Sequence, residues 1–265
     1  MEDTIRIERH EGWHKLILNR PDKLNAVNVP MLGALISALE AARDEPSCRA
    51  VLLTGEGRGF CSGQELSSEI MPSPDGTPPN LEALAAGWHH RVVALMQALP
   101  LPVVAAVNGV AAGAGASFAL AADIALAARS ASFVLAFARI GLVPDSGATF
   151  FLPRLIGEAR ARALALVTTP LSAEQAEQWG MIWKVVDDAE LAREAEALTA
   201  QLANQATAAL AATKRLFSAA ATNDLAAQLA LEAKEQGARG RSPDFAEGVR
   251  AFLEKRPARF TGRDA

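Results

Sequence analysis

Between Val92 and Ala122 the chain carries no charged side chain, and that run is interrupted by Pro100, Pro102, Asn108 and three glycines. A stretch so long and so uncharged belongs either in a bilayer or in a protein core. The interruptions decide between the two. A spanning segment has to be one continuous helix, whereas "ALPLPVVAAVNGVAAGAGASFALAAD" is punctuated where a helix would have to run on. It reads as a short buried strand over 103–107, a turn of small residues, and a helix opening near Ala114 and reaching Ala122. A buried strand followed by a helix is the building unit of an α/β core, and no membrane segment is expected.

The rest of the chain repeats this unit. "TIRIER" alternates, His10–Gly12 supplies a turn, and "WHKLILN" continues as a second strand. "VPMLGALISALEAARDE" has helical apolar spacing with Pro30 in its first turn. "CRAVLLTG" is a buried strand running into "GEGRGFCSGQEL"; residues 71–80, "MPSPDGTPPN", form an exposed loop that is a candidate lid; and 81–98 is helical. "DIALAA", "ASFVLA" and "WKVV" are short strands. "LSAEQAEQWG" opens with Ser172 and Gln175 at capping-box spacing and closes on Gly180. Helices follow near 189–204, 206–221 and 224–238, and a last one starts at Ser242 and Pro243. The fold class is therefore α/β with mostly parallel pairing. Residues 1–200 form the core and 201–265 a helical C-terminal region expected to pack against another subunit.

Several functions are disfavoured by what the chain lacks. A net charge of −4 and a pI near 5.7 give no basic footprint for nucleic acid or an anionic membrane, and the absence of Tyr removes the commonest stacking platform. Cys48 and Cys61 form no disulfide framework and fit a reduced, cytoplasmic protein, and the charged start "MEDTIRIERH" is not a signal peptide. "NGVAAGAGASF" fails the dinucleotide register because Phe118 stands where a small residue is needed. There is no G-K-[ST] and no G-x-S-x-G, and His10, His14, His89 and His90 lack metal-ligand spacing, so no metal or redox cofactor is expected.

Two loops remain, "GFCSGQEL" (59–66) and "GVAAGAGAS" (109–117), each rich in small residues just after a buried strand. Such loops could present two backbone amides to one oxygen, as an oxyanion site does, or could simply allow tight helix–strand packing. Composition leaves both open. Taken in order, "LNRPDKLNAVN", "GFCSGQEL", "PVVAAVNGVAAGAGASFALAADIALAA", "IGLVPDSGATFFLPRLIG" and "LSAEQAEQWGMIWKVV" resemble the crotonase (enoyl-CoA hydratase/isomerase) family over essentially the whole chain. The resemblance implies a spiral of strand–strand–helix turns, a C-terminal region that builds a trimer or a dimer of trimers, and an acyl-coenzyme A substrate with no separate cofactor. It places the oxyanion amides at Gln64 and Ala114. It lays the coenzyme A along Lys23, Leu24, Ala26, Gly63, Glu65 and Leu66, and the acyl group near Gly113, Phe137 and Pro144.

The departures from that family carry the functional expectation. A hydratase of the family has two glutamates where this chain has Ser117 and Phe137, and neither can activate water. One acid stands in the following loop, Asp145 in "GLVPDSGATF". The residues alone leave it two roles, N-cap of the next helix or base. The resemblance, with both glutamates missing, implies the base. The chain is then most similar to the isomerase branch that converts ring-1,2-epoxyphenylacetyl-CoA to its oxepin form and shifts double bonds in enoyl-CoAs. The alternatives are a plain hydratase, a dehalogenase-like enzyme using the Asp as nucleophile, and a non-catalytic coenzyme A-thioester binder partnering an active hydratase.

Overall fold

The protein is seen in a computed structural model that describes residues 3–67 and 70–262. Strands β1 (Ile5–His10) and β2 (Trp13–Leu18) form the expected hairpin, in register from Ile5 opposite Leu18 to His10 opposite Trp13. Helix α1 (Val29–Asp44) starts where Asn28 accepts the Met31 N–H at 3.1 Å, an N-cap bond with proline in the first turn. It buries Leu32, Leu35, Ile36 and Leu39 and leads to β3 (Ala50–Gly55), which pairs parallel with β2.

From β3 onward one motif repeats. A strand is laid in a first sheet, the chain turns sharply, a three-residue strand is laid in a second sheet, and a helix returns it. The first turn of this spiral is β3, β4 (Gly59–Cys61) and the helical stretch α2 (Leu81–Leu84), a π-turn at Ala85–His89, and α3 (His90–Ala98). The second is β5 (Val103–Val107), β6 (Val110–Ala112) and α4 (Ala114–Leu120). The third is β7 (Ile124–Ala128), β8 (Ser132–Val134), a 3₁₀ turn at Ala136–Ile140, α5 (Ala148–Ile156) and α6 (Glu158–Val167). Strand β9 (Leu171–Ser172), α7 (Ala173–Gln178), which Ser172 caps through Gln175 N–H at 3.2 Å, and β10 (Lys184–Val186) complete it. The six-stranded sheet has the order β1-β2-β3-β5-β7-β10, parallel except for the hairpin, and the four-stranded sheet the order β4-β6-β8-β9. The charge-free run thus becomes most of α3, then β5, β6 and α4, and among the described residues no helix is long and apolar enough to cross a membrane.

Four helices follow: α8 (Leu191–Ala203), α9 (Thr207–Ala220), α10 (Leu225–Arg239) and α11 (Pro243–Leu253). Helix α8 packs on β2, β3, β5 and β7, covering the large sheet. Two polar anchors bind the later helices to the core. Lys214 of α9 donates to the carbonyl of Met96 at 2.7 Å and to Asp123 at 2.8 Å. Arg49, just before β3, donates to Thr207 Oγ1 at 2.9 Å and to the carbonyls of Gln205 and Phe260. Asp244 of α11 accepts from the backbone of Thr261 and Gly262, at 2.7 and 2.8 Å, so the end of the described chain is folded back onto the helix.

Candidate active site

Strands β4, β6 and β8 lie side by side and parallel, so the loops that leave their C-terminal ends emerge together. In open parallel sheets that edge is where ligands bind. The loop after β4 carries Gly63 and Gln64, the one after β6 carries Gly113 and Ala114, and the one after β8 leads through Phe137 to Asp145. The contact between the first two loops is close. A Cβ on Gly63 would stand 2.9 Å from the Ala112 carbonyl oxygen and 3.6 Å from the Ala114 nitrogen, at φ +95°, so only glycine fits. Gly115 meets the other expectation for these turns, since a Cβ there would collide with the Cys61 carbonyl at 2.2 Å. The small residues of 109–117 therefore do both things: one lets α4 pack on β4, and the others bring the loops together.

Among the described residues neither the Gln64 N–H nor the Ala114 N–H donates to any protein acceptor, although their neighbours are bonded. Gly113 N–H reaches the Val134 carbonyl at 2.9 Å and Glu65 N–H the Val27 carbonyl at 2.8 Å. Two unspent amide donors on touching loops fit a site for a developing negative oxygen.

The segment 23–27 runs alongside the β4 loop. Val27 N–H donates to Gly63 O at 2.8 Å, Ser62 N–H to Leu24 O at 3.0 Å and Ser62 Oγ to Lys23 O at 3.2 Å. Buried Asn25 fastens it, its Nδ2 bonding Gly59 O at 2.7 Å and its Oδ1 accepting the Arg20 N–H at 2.8 Å. Leu24 and Asn25 both take left-handed backbone, at φ 49° and 56°, a strained arrangement of the kind that clusters at functional loops. The structure thus brings Lys23, Leu24 and Ala26 beside Gly63, Gln64 and Glu65. Lys23 and Leu66 are exposed and Ala26 is buried, while the Glu65 carboxylate is taken up by Arg20 at 2.8 Å.

Asp145 is not the cap of the following helix. Helix α5 begins at Ala148, its N-cap is Gly147, and no side chain caps it. Ser146 and Gly147 both have positive φ, at 51° and 82°, and this reversal separates Asp145 from the helix. The Asp145 carbonyl accepts from Ala148 N–H at 3.0 Å and from Ser117 Oγ at 3.1 Å. Its half-buried carboxylate accepts from the hydroxyl of Ser146, fully buried, at 2.9 Å. With Pro144 half-buried before it, the carboxylate is held from the protein side and is otherwise uncommitted. Phe137 is buried and lies across from Gly113, whose Cβ would stand 3.7 Å from its ring edge.

Two residues here escape a reading of motifs. Ser117, at a position where only a missing acid is evident from sequence, fastens α4 to the Asp145 loop. His89 closes the π-turn and is 3% exposed. Burial lowers its pKa, and the carboxylate of Asp145 acts in the opposite direction. The adjacent His90 is exposed, and nothing in "HH" tells them apart. Both cysteines are buried free thiols, pushed up to about 11 at Cys48 and about 12 at Cys61, and are poor nucleophiles there. Among the described residues no group of three or more His, Cys, Asp or Glu is arranged to hold a metal ion.

The sequence pattern of the enoyl-CoA hydratase/isomerase family matches residues 8–263. The chain belongs to that family. Members of it are similar along nearly their whole length. A protein of Rhodobacter capsulatus named "Probable enoyl-CoA hydratase" is 49% identical over 98% of both chains, and the 1,2-epoxyphenylacetyl-CoA isomerase of Escherichia coli K12 is 49% identical over 99% of this chain and 100% of its own. Solved family structures superpose closely: the enoyl-CoA hydratase of Bacillus anthracis at TM-score 0.92 and 30% identity, covering 98% of this chain and all of that one, and an enoyl-CoA hydratase of Polaromonas sp. JS666 at 0.90 and 34%, covering 97% and 99%. The fold is the crotonase fold.

Proposed function

We propose that the protein is an acyl-CoA isomerase in which Asp145 is the acid/base group and the amides of Gln64 and Ala114 hold the thioester oxygen. The observation that carries this reading is the Asp145 carboxylate, freed from helix capping and fixed by Ser146 in the loop beside the two unspent amides. With the thioester oxygen held by two donors, the α-carbon proton becomes acidic; Asp145 removes it and returns it at another carbon of the same conjugated system. The change is redox-neutral, and this reading assigns it no cofactor. The coenzyme A lies along 23–26 and 63–66, and the acyl group against Gly113, Phe137 and Pro144. The favoured substrate is ring-1,2-epoxyphenylacetyl-CoA, on the likeness to the E. coli isomerase, with 3-enoyl-CoA thioesters as a second class.

Hydration is weak or absent in this reading, because Ser117 and Phe137 offer no carboxylate to orient water and the Ser117 hydroxyl is committed to backbone oxygens. We further read 201–265 as the self-association region, which makes the protein a homotrimer or a dimer of trimers. Its support is the apolar surface of α9–α11, where Phe217, Phe245 and Phe252 are 78%, 55% and 82% exposed around a cavity of about 880 Å³. That cavity is remote from the loops above and is read as subunit interface. The two free buried thiols support the cytoplasm as its compartment.

The test offers the enzyme a 3-enoyl-CoA and, separately, a 2-enoyl-CoA, followed by absorbance and mass. Conjugation of the first with no water added to the second is the expected result, and the ring epoxide is then tried. Efficient hydration of the second would replace this reading with the hydratase one, and turnover of neither would leave a thioester-binding partner subunit.

A further inference from the structure

The Gln64 N–H owes its freedom to a single bridge. Val27 and Gln64 lie opposite one another as a parallel pair, and Val27 makes both bonds of it, donating to Gly63 O and accepting from Glu65 N–H, each at 2.8 Å. In a parallel pair the residue between the two bonded neighbours turns its own N–H and C=O to the opposite side, so this bridge both frees the Gln64 amide and aims it. The aim rests on little. The bridge is one residue pair long, and the segment leading into it contains the left-handed Leu24 and Asn25. One side chain spans it. Arg20 donates through one guanidinium nitrogen to Ala26 O at 2.6 Å, just before Val27, and through the other to Glu65 Oε2 at 2.8 Å, just after Gln64. Its own backbone N–H is held by Asn25 Oδ1 at 2.8 Å, which ties the brace to the same strained segment. The side chains of Arg20 and Glu65 are only 18% and 23% exposed, so salt screens the pair less than it would a surface one. Lys23 Nζ at 3.9 Å from Glu65 Oε1 and Asn28 Nδ2 at 3.5 Å from its Oε2 are weaker contacts on the same carboxylate.

We propose that Arg20 is a positioning residue for the oxyanion site: its guanidinium braces the two sides of the Val27–Gln64 bridge and so fixes the direction of the Gln64 N–H. This rests on that N–H holding the thioester oxygen. Arg20 acts through the Gln64 peptide and through Glu65, whose carboxylate serves the brace. Donors stabilise a developing oxyanion only when they already point to where its charge will appear. A bridge of one pair with a strained approach can tilt. A tilted peptide weakens the bond to the enolate oxygen more than the bond to the resting thioester, which carries less charge. The planar fork is what the brace needs. Two N–H groups at a fixed spacing reach a carbonyl and a carboxylate at once, which the compact ammonium of a lysine does not do with the same geometry. An ion pair that only stabilised the fold would need neither the Ala26 bond nor a position astride one peptide.

The test uses R20K, which keeps the charge and most of the bulk, beside R20A, E65A and the double variant R20A/E65A. Each is mixed with 4-dimethylaminocinnamoyl-CoA, a thioester whose absorption band moves to the red as its carbonyl is polarised. Each is also assayed with a 3-enoyl-CoA well below its unfolding midpoint. In wild type the bound probe is red-shifted. R20K and R20A should bind it with Kd within about threefold of wild type and with the shift reduced by about half. They should lose kcat by about 10- to 100-fold with KM little changed, part of the ~10²–10³ that loss of a whole oxyanion donor costs. Because Arg20 and Glu65 act as a unit, R20A/E65A should be no slower than R20A. A full red shift and normal kcat in R20K and R20A, with only the unfolding midpoint lowered, overturns the proposal and leaves a structural ion pair. A raised KM at unchanged kcat overturns it in favour of coenzyme A binding. If R20A does not fold, R20K decides by itself. No red shift in wild type is the separate failure of the two-amide reading, and takes this proposal with it.

Discussion

Ser146 pays for Asp145's orientation with its own backbone: at φ 51° it sits where a non-glycine residue is strained, fully buried, with its hydroxyl on the carboxylate. The two residues should therefore respond differently to substitution. D145N keeps the shape of the loop and is expected to lower kcat by about 10² to 10⁴ with unchanged thermal unfolding. A merely structural Asp would tolerate Asn, so near-normal turnover would refute the assignment. S146A removes the hydrogen bond and keeps the strain; it should lower kcat by roughly tenfold and stability by about 1 kcal/mol, read from kinetics and urea unfolding. S146G removes the bond and relieves the strain, so it should be the more stable of the two and equally slow. That ordering separates orientation of the carboxylate from simple damage.

Individual elements show how much of this was legible before the structure. The strands over 50–55 and 103–107 and the caps at Ser172 and Ser242 can be read from the chain because hydrophobic runs and capping residues are local signals. The short sheet is different. β4 and β6 are three residues each, inside glycine-rich stretches that read as loops, and three residues carry no detectable period. It is this sheet that aligns the loops bearing Gln64, Ala114 and Phe137. Asp145 also looks like a cap in the linear chain, because the two left-handed residues that detach it leave no mark beyond a Ser-Gly pair. His89 is set apart from His90 only by its burial, which the pair of adjacent histidines does not reveal. At the same scale, Lys214 (10% exposed) and Asp123 (23%) join α9 to the start of β7. Removing one partner of such a pair leaves an uncompensated charge, so K214M should cost about 3 to 5 kcal/mol in chemical unfolding. Activity measured well below the unfolding midpoint should change little.

For the molecule as a whole, the apolar face of α9–α11 makes association testable without touching the site. F217D with F252D is expected to reduce the mass seen by light scattering to that of single chains, and an unchanged mass would place the subunit contact elsewhere. Acid is a second global probe. Burial lowers the pKa of His14 and His89 below 6.5, against the opposing pull of Glu45 and Asp145 respectively. The unfolded chain thus binds protons in mild acid that the folded chain refuses. Stability from these two groups is complete above about pH 6.5 and declines as pH falls through that value toward their folded pKa values. Thermal scans from pH 8 to 5 should show the transition falling only in the lower half of the range, and H14N should lessen the fall. The cover that α8 gives to β2, β3, β5 and β7 has one more consequence, for the order of events during synthesis. The strands of the large sheet leave the ribosome long before Leu191–Ala203, and at roughly 5 to 20 residues per second that face stays bare for on the order of ten seconds. The nascent chain, rather than the finished enzyme, is the form of this protein most in need of a chaperone.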